Sequence, residues 1–370
     1  MNMYSPFRHA PSLFLKNNPI HLTYFLTRRC NARCPYCFYL ENDSPNSDSS
    51  SCSQTNELTI EEIQKLAPSF GKLLWLAFSG GEIFLRKDIV EISQVFYATN
   101  KPSIMLFPTN GLMPDLIRKR IEQILSICPK SVVVVKLSID ELYERHDELR
   151  NTPHSFEKTI KTYERLSPLL NEYPNFELGV NTVFCSENQH RMNKIIDFVE
   201  TLDHVNTHTI SMIRGVLKDQ HYQQNLDYEI YTQAVNRLAD KMRGSAKNRY
   251  RFNGAGIKAA QDVIQRRIIY QTLVEQKRQI PCYAGRTNLV MTETGDIYPC
   301  EILTDSFGNV RDYNYNIKTI LESSQARQSI SAIDAEACYC THECNLMTNI
   351  LLNPKMLPAL AREYSGLNTA

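Results

Sequence analysis

Short apolar runs alternate with helical segments through residues 20–213, and this alternation constrains the fold more than any other feature of the chain. The apolar, β-branched runs predict six strands at 21–26, 73–78, 103–108, 131–138, 176–184 and 207–213. Helical periodicity covers residues 59–70, 87–99, 114–127, 155–170 and 191–202. Strands that alternate with helices predict βαβ units and a parallel sheet. Six units are too few for an eight-fold barrel, so the pattern favours an α/β fold of the partial (β/α)6 TIM-like barrel type, with a doubly wound sheet as the alternative.

The chain has 370 residues, enough for one large domain and a smaller one. We expect an N-terminal extension at 1–20, a core at 21–225, a charged helical bridge at 226–280 and a small cysteine-rich domain at 281–370. Within the last region, residues 288–300 predict a hairpin that turns at Gly295. The stretch 40–57 is rich in Ser, Asn and Asp and predicts a polar loop, in which Cys52 is expected to be an incidental thiol.

Charge and hydropathy argue against several classes of partner and location. The 41 basic and 40 acidic side chains give a net charge of +1, which offers no reason to expect a nucleic acid or an anionic membrane as partner. No stretch approaches the roughly 18 apolar residues of a membrane span. The first residues lack the apolar region of a secretion signal, so we expect a cytoplasmic protein, whose thiols stay reduced.

The cysteines fall mainly into two groups, which indicates metal binding. Cys30, Cys34 and Cys37 directly follow the first predicted strand, and active sites of βα barrels form at the carboxyl ends of their strands. Three thiolates can bind three irons of a four-iron cube and leave the fourth iron open. A zinc site is the alternative, although zinc needs a fourth ligand and no Cys or His follows closely in the sequence.

The residues around this first group resemble the signature of the radical S-adenosylmethionine (SAM) superfamily. Residues 30–39 read CNARCPYCFY, which is similar to the C-x3-C-x-aromatic-C pattern of that family. The resemblance implies a catalytic [4Fe–4S] cluster whose open iron chelates SAM. It further implies reductive cleavage of SAM to a 5′-deoxyadenosyl radical, which abstracts hydrogen from the substrate. Tyr36 and Phe38 are then expected at the cofactor.

Motifs similar to those that bind SAM in this family follow the second and third strands. Gly80, Gly81 and Glu82 resemble its Gly-Gly-Glu motif, in which the carboxylate receives the methionine amino group. Glycines also allow the backbone to approach a ligand closely. Thr109 and Asn110 resemble the family's Thr-Asn-Gly turn, although an ordinary polar turn explains them equally well.

The fourth and fifth strands carry further candidates by the same resemblance. Ser138 and Asp140 are expected near the ribose of SAM. Arg150 is expected to meet the SAM carboxylate, since a guanidinium can bind a carboxylate through two parallel hydrogen bonds. Asn181 is expected near the ribose or the methionyl end.

Three nearby residues are not expected to bind the cofactor, although Asp147 matches the family's H-D-x-x-R stretch. Glu141 stands where the family usually has glycine, which indicates a different local turn. Asp147 is expected to be an ordinary polar residue at the start of a helix. Cys185 is expected to be a buried apolar residue rather than a ligand.

The second group of cysteines resembles the auxiliary-cluster domains of the superfamily, the SPASM and shorter twitch types. Its members are Cys282, Cys300, Cys338, Cys340 and Cys344. Five thiols suffice for one four-cysteine cluster with one to spare, and the spacing leaves open which of the last three are ligands. We expect one auxiliary [4Fe–4S] cluster, with a structural zinc site as the alternative. His342 is expected to be a solvated loop residue.

The resemblance implies a radical SAM oxidoreductase or maturase that receives electrons from a flavodoxin or ferredoxin. Maturation of a peptide or protein is the leading hypothesis for its reaction. One alternative is a dehydrogenase of a small molecule such as a sugar or cofactor precursor. Another is a non-catalytic iron–sulfur or zinc-binding interaction protein, against which the intact motifs argue.

Overall fold

The structure is a computed structural model that describes residues 3–39, 56–244, 250–335 and 338–368. Its strands are β1 (His21–Phe25), β2 (Trp75–Ser79), β3 (Ile104–Thr109), β4 (Val132–Ser138), β5 (Phe176–Phe184), β6 (Thr207–Met212), β7 (Asn288–Met291), β8 (Asp296–Tyr298) and β9 (Gly308–Asn309). The six strands predicted in the first part of the chain are therefore confirmed. Cys52, with most of the predicted polar loop, lies outside the described residues.

The helices also match the predicted alternation, with additional ones in the C-terminal region. They are α1 (Ile60–Leu66), α2 (Ile89–Asn100), α3 (Pro114–Ile127), α4 (Glu144–Leu149), α5 (Ser155–Leu166), α6 (Leu169–Glu172), α7 (Met192–Glu200), α8 (Tyr228–Gly244), α9 (Ala255–Glu275), α10 (Ile317–Leu321), α11 (Ser324–Ala335), α12 (Glu343–Leu351) and α13 (Leu357–Asn368). Short 3-10 helices lie at Pro6–Leu13, Ala67–Phe70, Ile83–Leu85, Gln189–Arg191, Gln220–Gln223, Val310–Tyr313 and Pro354–Met356. None of the helices in the described ranges is both long and apolar enough to cross a membrane.

Local sequence explains where several of these elements form. β4 contains four consecutive valines, all buried, and β-branched side chains favour strands because they pack well on a pleated surface. α1 begins with a capping box, in which the Thr59 hydroxyl accepts from the Glu62 backbone N–H and the Glu62 carboxylate accepts from that of Thr59. α3 begins with Pro114, whose missing N–H costs nothing in a first helical turn.

The strands form one sheet in the order β6-β5-β4-β3-β2-β1-β7-β8-β9. From β1 to β6 each strand pairs in parallel with the next along the chain. A doubly wound sheet reverses its strand order at a switch point, and this order contains no reversal over β1–β6. Inner side chains from all six strands line one cavity, which requires the sheet to curve around it. The predicted partial barrel is confirmed.

The C-terminal hairpin continues this sheet. β7 runs parallel to β1, with His21 opposite Asn288, and then turns into the antiparallel strand β8. Gly295 lies in the turn at φ 92°, a conformation that glycine adopts without strain. The predicted hairpin is therefore confirmed, and it adds to the barrel sheet itself. The division of the chain into four segments stays a prediction.

The region predicted as a helical bridge forms α8 and α9. α9 packs against α8, α12 and α13. Side chains from α9, among them Gln265 and Ile269, line the same cavity as the six strands. The bridge thus supplies part of the wall of the barrel interior.

Candidate active site

A cavity of about 380 Å³ lies inside the curved sheet. Eight of the residues predicted from the sequence line it, namely Cys34, Tyr36, Cys37, Phe38, Ser138, Asp140, Arg150 and Asn181. The other predicted residues of the core lie in the cysteine loop or beside it, and they are Cys30, Gly80, Gly81, Glu82 and Asn110. The structure therefore brings together residues from the ends of five strands.

The two glycines after β2 pack directly against the segment that leads into the cysteine loop. The Gly81 N–H donates to the Thr27 carbonyl at 2.7 Å, and the Glu82 N–H donates to the Arg29 carbonyl at 2.8 Å. A Cβ atom on Gly81 would lie 2.2 Å from the Arg29 carbonyl oxygen, and one on Gly80 would lie 2.4 Å from that of Thr27. The close approach that requires glycine is thus made by the protein's own backbone, whereas the sequence suggested a ligand.

The carboxyl group of Glu82 is buried and is held by the turn after β3. It accepts hydrogen bonds from the Thr109 hydroxyl at 2.9 Å, the Asn110 N–H at 2.9 Å and the Phe84 N–H at 3.2 Å. Burial raises the pKa of Glu82 to about 7, although these hydrogen bonds lower it. The Asn110 amide also lies 3.8 Å from the Cys30 sulfur. Thr109 therefore holds this carboxyl group, and Asn110 connects it to the first cysteine, beyond what an ordinary turn does.

Asp140 organises the opposite side of the cysteine loop. Its buried carboxylate accepts from the Tyr36 hydroxyl at 2.6 Å, from Arg150 Nη1 at 2.8 Å and from the Val183 N–H at 2.7 Å. The Arg150 guanidinium also lies close to the Cys34 thiol. Asp140 thus fixes both the aromatic residue of the loop and the guanidinium, a positioning arrangement that the sequence did not indicate.

Comparison with known proteins identifies this arrangement. A model of the radical SAM superfamily matches residues 24–199. The chain carries a radical SAM domain. Among curated relatives, the antilisterial bacteriocin subtilosin biosynthesis protein AlbA of Bacillus subtilis (strain 168) is 27% identical over 304 residues. Those residues cover 80% of this chain and 58% of AlbA, so the chain spans little more than half the length of that relative.

Two solved structures share the fold of the radical SAM domain and of the region after it. Native anSMEcpe with bound AdoMet has a TM-score of 0.57 and 17% sequence identity, over 95% of this chain and 96% of that chain. SuiB of Streptococcus suis bound to precursor peptide SuiA has a TM-score of 0.56 and 14% identity, over 87% of this chain and 69% of that chain. The shared fold therefore extends past residue 199 into the C-terminal region.

The cofactors of a radical SAM domain are a [4Fe–4S] cluster and SAM, and the residues at this site fit both. Three thiols from one loop leave the fourth iron of a cube without a protein ligand. Cys34 and Cys37 line the cavity. A buried carboxyl group, Glu82, and a buried guanidinium, Arg150, flank the loop. These two groups complement the ammonium and the carboxylate of the methionine moiety of SAM.

The three residues that were not expected to bind the cofactor have structural surroundings that account for them. Cys185 is fully buried in an apolar cluster, which confirms the prediction. Asp147 lies in the first turn of α4, a helix start as predicted. Its carboxylate accepts from three donors at the start of α5, and they are His154 N–H, Ser155 Oγ–H and Phe156 N–H. Glu141 is buried and pairs with Arg191. A glycine in that position could not form this ion pair.

Sequence reasoning missed Arg214, which lies just beyond β6. Its guanidinium donates to Glu301 at 3.2 Å and to Glu343 at 3.1 Å. It also lies over the Phe38 ring, 5.6 Å from the centroid. The strand ends before it all carry site candidates, so its position after the sixth strand is a signal that could have identified it.

Sequence reasoning also missed Lys136, which points into the cavity from β4. Its ammonium donates to the Thr207 hydroxyl at 2.6 Å and to the Thr209 hydroxyl at 3.2 Å. Burial lowers the pKa of Lys136 to about 7. A lysine that interrupts the apolar run of a central strand is the signal that could have indicated it.

Of the second group of cysteines, Cys344 lines this cavity. His342, predicted to be solvated, is buried, with its Nε2 atom 3.0 Å from Glu301 Oε2. That prediction was wrong because the sequence gives no sign that Glu301, distant along the chain, supplies a buried ion-pair partner. Arg214 and His342 thus share the carboxylate that directly follows Cys300.

Proposed function

We propose that the protein is a radical SAM maturase that abstracts a hydrogen atom from a carbon of a peptide or protein substrate. The cavity inside the curved sheet is called the reaction cavity. The observation that carries this proposal is that the reaction cavity shares a wall with a second, thiol-lined cavity. Cys300 lines the second cavity and the adjacent Glu301 lines the first. An auxiliary [4Fe–4S] cluster bound there would lie beside a substrate in the barrel, where it can accept an electron from it.

The roles of the site residues follow from their positions. Cys30, Cys34 and Cys37 would hold the catalytic cluster. Glu82 would accept the ammonium of SAM, and Arg150 would pair with its carboxylate. When bound, the cluster and SAM supply a 5′-deoxyadenosyl radical, which is cofactor chemistry rather than protein chemistry. The protein's contribution is to bind, to orient and to exclude water.

The remaining residues orient these groups. Asp140 holds Arg150 and Tyr36 by direct hydrogen bonds. Asn110 holds Glu82 and approaches Cys30. The cavity surface for the nucleoside part of SAM would be formed by Phe38, Ser138 and Asn181, which line the same space.

Two of the similar proteins support a peptide substrate. AlbA is named as a biosynthesis protein of a bacteriocin, and SuiB is seen bound to a precursor peptide. We propose that this chain also acts on a ribosomally made peptide in the cytoplasm, and that it receives electrons from a flavodoxin or ferredoxin. Recognition of the peptide would fall to the barrel, to α8 and α9, or to a separate protein.

Deuterium transfer tests this function directly. Short peptides encoded beside the gene for this chain would be made with deuterated side chains and incubated with the anaerobically reconstituted protein, SAM and dithionite. We expect one peptide to transfer deuterium into 5′-deoxyadenosine, which mass spectrometry detects as a gain of one mass unit. Transfer only from a deuterated sugar or cofactor precursor, with none from any peptide, would favour the small-molecule alternative.

A further inference from the structure

The five C-terminal cysteines line two different cavities. Four of them surround a small cavity of about 60 Å³, and they are Cys282, Cys300, Cys338 and Cys340. Cys344 lines the reaction cavity instead, together with Glu301 and Glu343. Within the described ranges no three His, Cys, Asp or Glu side chains converge as they would on a single ion. Ligand geometry therefore does not distinguish the thiols that could bind a cluster from those that could not. The cavity that each thiol lines does distinguish them.

The helix that carries Cys344 explains the separation. α12 lies between the two cavities, and its residues alternate between them with the helical period. Asn345, Leu346 and Asn349 line the four-thiol cavity, whereas Cys344 and Met347 line the reaction cavity. At roughly 100° per residue, positions 345, 346 and 349 fall on one side of a helix and positions 344 and 347 on the other.

Buried hydrogen bonds fix the rotation of α12. Asn349 Oδ1 accepts from the Tyr283 N–H at 2.8 Å, and Asn345 Oδ1 accepts from Asn288 Nδ2 at 2.9 Å. Both partners belong to the segment that contains β7. Turning Cys344 toward the four-thiol cavity would break these two bonds and leave buried amides without partners, which is costly.

Polar groups on the barrel side also surround Cys344. The imidazoles of His21 from β1 and of His342 lie close to its thiol. Arg214 joins Glu301 and Glu343 next to it. The Cys344 sulfur therefore lies among polar groups at the reaction cavity, which the other four thiols do not line.

We infer that Cys282, Cys300, Cys338 and Cys340 are the ligands of the auxiliary [4Fe–4S] cluster and that Cys344 is a non-ligating thiol of the reaction cavity. This inference rests on the proposed auxiliary cluster and deepens it. Four thiolates complete a cube with no open iron. It also resolves the ambiguity of the C-x-C-x3-C tail, whose spacing alone does not show which sulfurs bind.

The test isolates the auxiliary cluster by removing the catalytic one. In a background with Cys30→Ala, Cys34→Ala and Cys37→Ala, the reconstituted full-length chain should retain about four irons. Adding Cys344→Ala should leave the iron content and the electron paramagnetic resonance spectrum of the reduced protein unchanged. Adding Cys338→Ala together with Cys340→Ala should remove the iron. Adding Cys185→Ala, which deletes a buried thiol of the apolar core, controls for general destabilisation.

The other outcomes overturn either the ligand assignment or the auxiliary cluster itself. Loss of iron or a changed spectrum with Cys344→Ala, while Cys185→Ala keeps both, would overturn the ligand assignment. Retention of the cluster in the Cys338→Ala, Cys340→Ala variant would do the same. Zinc or no metal in the triple-alanine background would overturn the auxiliary iron–sulfur cluster itself, and with it the assignment.

Discussion

At the scale of single residues, the site depends on buried polar groups that hold one another. The carboxyl groups of Glu82 and Asp140 each accept hydrogen bonds from both backbone and side-chain donors. A buried carboxylate is tolerated only with such partners. Conservative amide substitutions that keep the shape are therefore more informative here than truncation to alanine.

The raised pKa of Glu82 leads to a prediction about the pH dependence of SAM binding. The ammonium of SAM is expected to bind the ionised carboxylate, and a pKa near 7 means that the carboxyl group takes up a proton as the pH falls below 7. The dissociation constant should therefore rise between pH 8 and pH 6, at most about tenfold per pH unit below the pKa. Anaerobic calorimetry on the reconstituted protein measures this.

The Glu82→Gln variant provides the control for this prediction. It should bind SAM about ten- to a hundredfold more weakly at pH 8, since it loses a hydrogen bond to a charged group worth about 1.5–3 kcal/mol. Its affinity should be nearly flat across the same pH range. An equal pH slope in the variant and the native protein would show that another group titrates.

The tight packing of Gly81 leads to a second prediction. In Gly81→Ala the new Cβ atom would meet the Arg29 carbonyl, a backbone atom that cannot move away cheaply. We expect a loss of stability of about 1–3 kcal/mol and weaker iron incorporation, because the cysteine loop is displaced. Thermal melting and iron analysis measure the two effects.

Gly366→Ala is the matched substitution for this test. Gly366 is an exposed residue of α13, and a Cβ atom there meets nothing within 4 Å. This variant should be unchanged or more stable, by up to about 1 kcal/mol, since alanine favours a helix over glycine. A Gly81→Ala protein that melts and binds iron like the native one would refute the close-packing explanation.

At the scale of elements, the turns after the strands position the residues of the site. The segment after β2 is hydrogen-bonded to the residues that lead into the cysteine loop, and the turn after β3 holds Glu82. The segment after β4 supplies Asp140, while the start of α5 is capped by Asp147. Each turn thus serves either the site or the helix that follows it.

The capping of α5 gives a prediction that separates a structural from a catalytic role. Asp147→Ala removes the acceptor for the His154 N–H and the Phe156 N–H. The loss of a cap should lower the free energy of unfolding by about 0.5–2 kcal/mol, measured by urea denaturation. SAM cleavage by the folded variant should stay near the native rate, because Asp147 does not line the cavity.

Lys161→Ala, a substitution of an exposed residue on the same helix, should change neither property. If Asp147→Ala abolished SAM cleavage without changing stability, Asp147 would belong to the catalytic site. A loss of stability equal to that of Lys161→Ala would show that the cap contributes nothing.

At the scale of the whole molecule, the sequence predicted what depends on local pattern. The alternation of strands and helices, the cysteine loop and the motifs at strand ends repeat along the chain, so their meeting at one edge follows from a parallel sheet. Contacts between distant segments could not be predicted. The pairing of β1 with β7 and the burial of His342 against Glu301 depend on tertiary packing. The rotation of α12 likewise depends on Tyr283 and Asn288.

The central claim is that the three thiols after β1 hold a cluster at which SAM is cleaved. The most direct test is to measure 5′-deoxyadenosine by liquid chromatography after anaerobic incubation of the iron-loaded protein with SAM and dithionite. We predict that the native protein forms 5′-deoxyadenosine and that Cys34→Ala forms none, while Cys128→Ala, which replaces a buried core thiol, forms it at the native rate. A native protein with full iron content that yields no 5′-deoxyadenosine, or a Cys34→Ala variant that yields as much as the native protein, would contradict the claim.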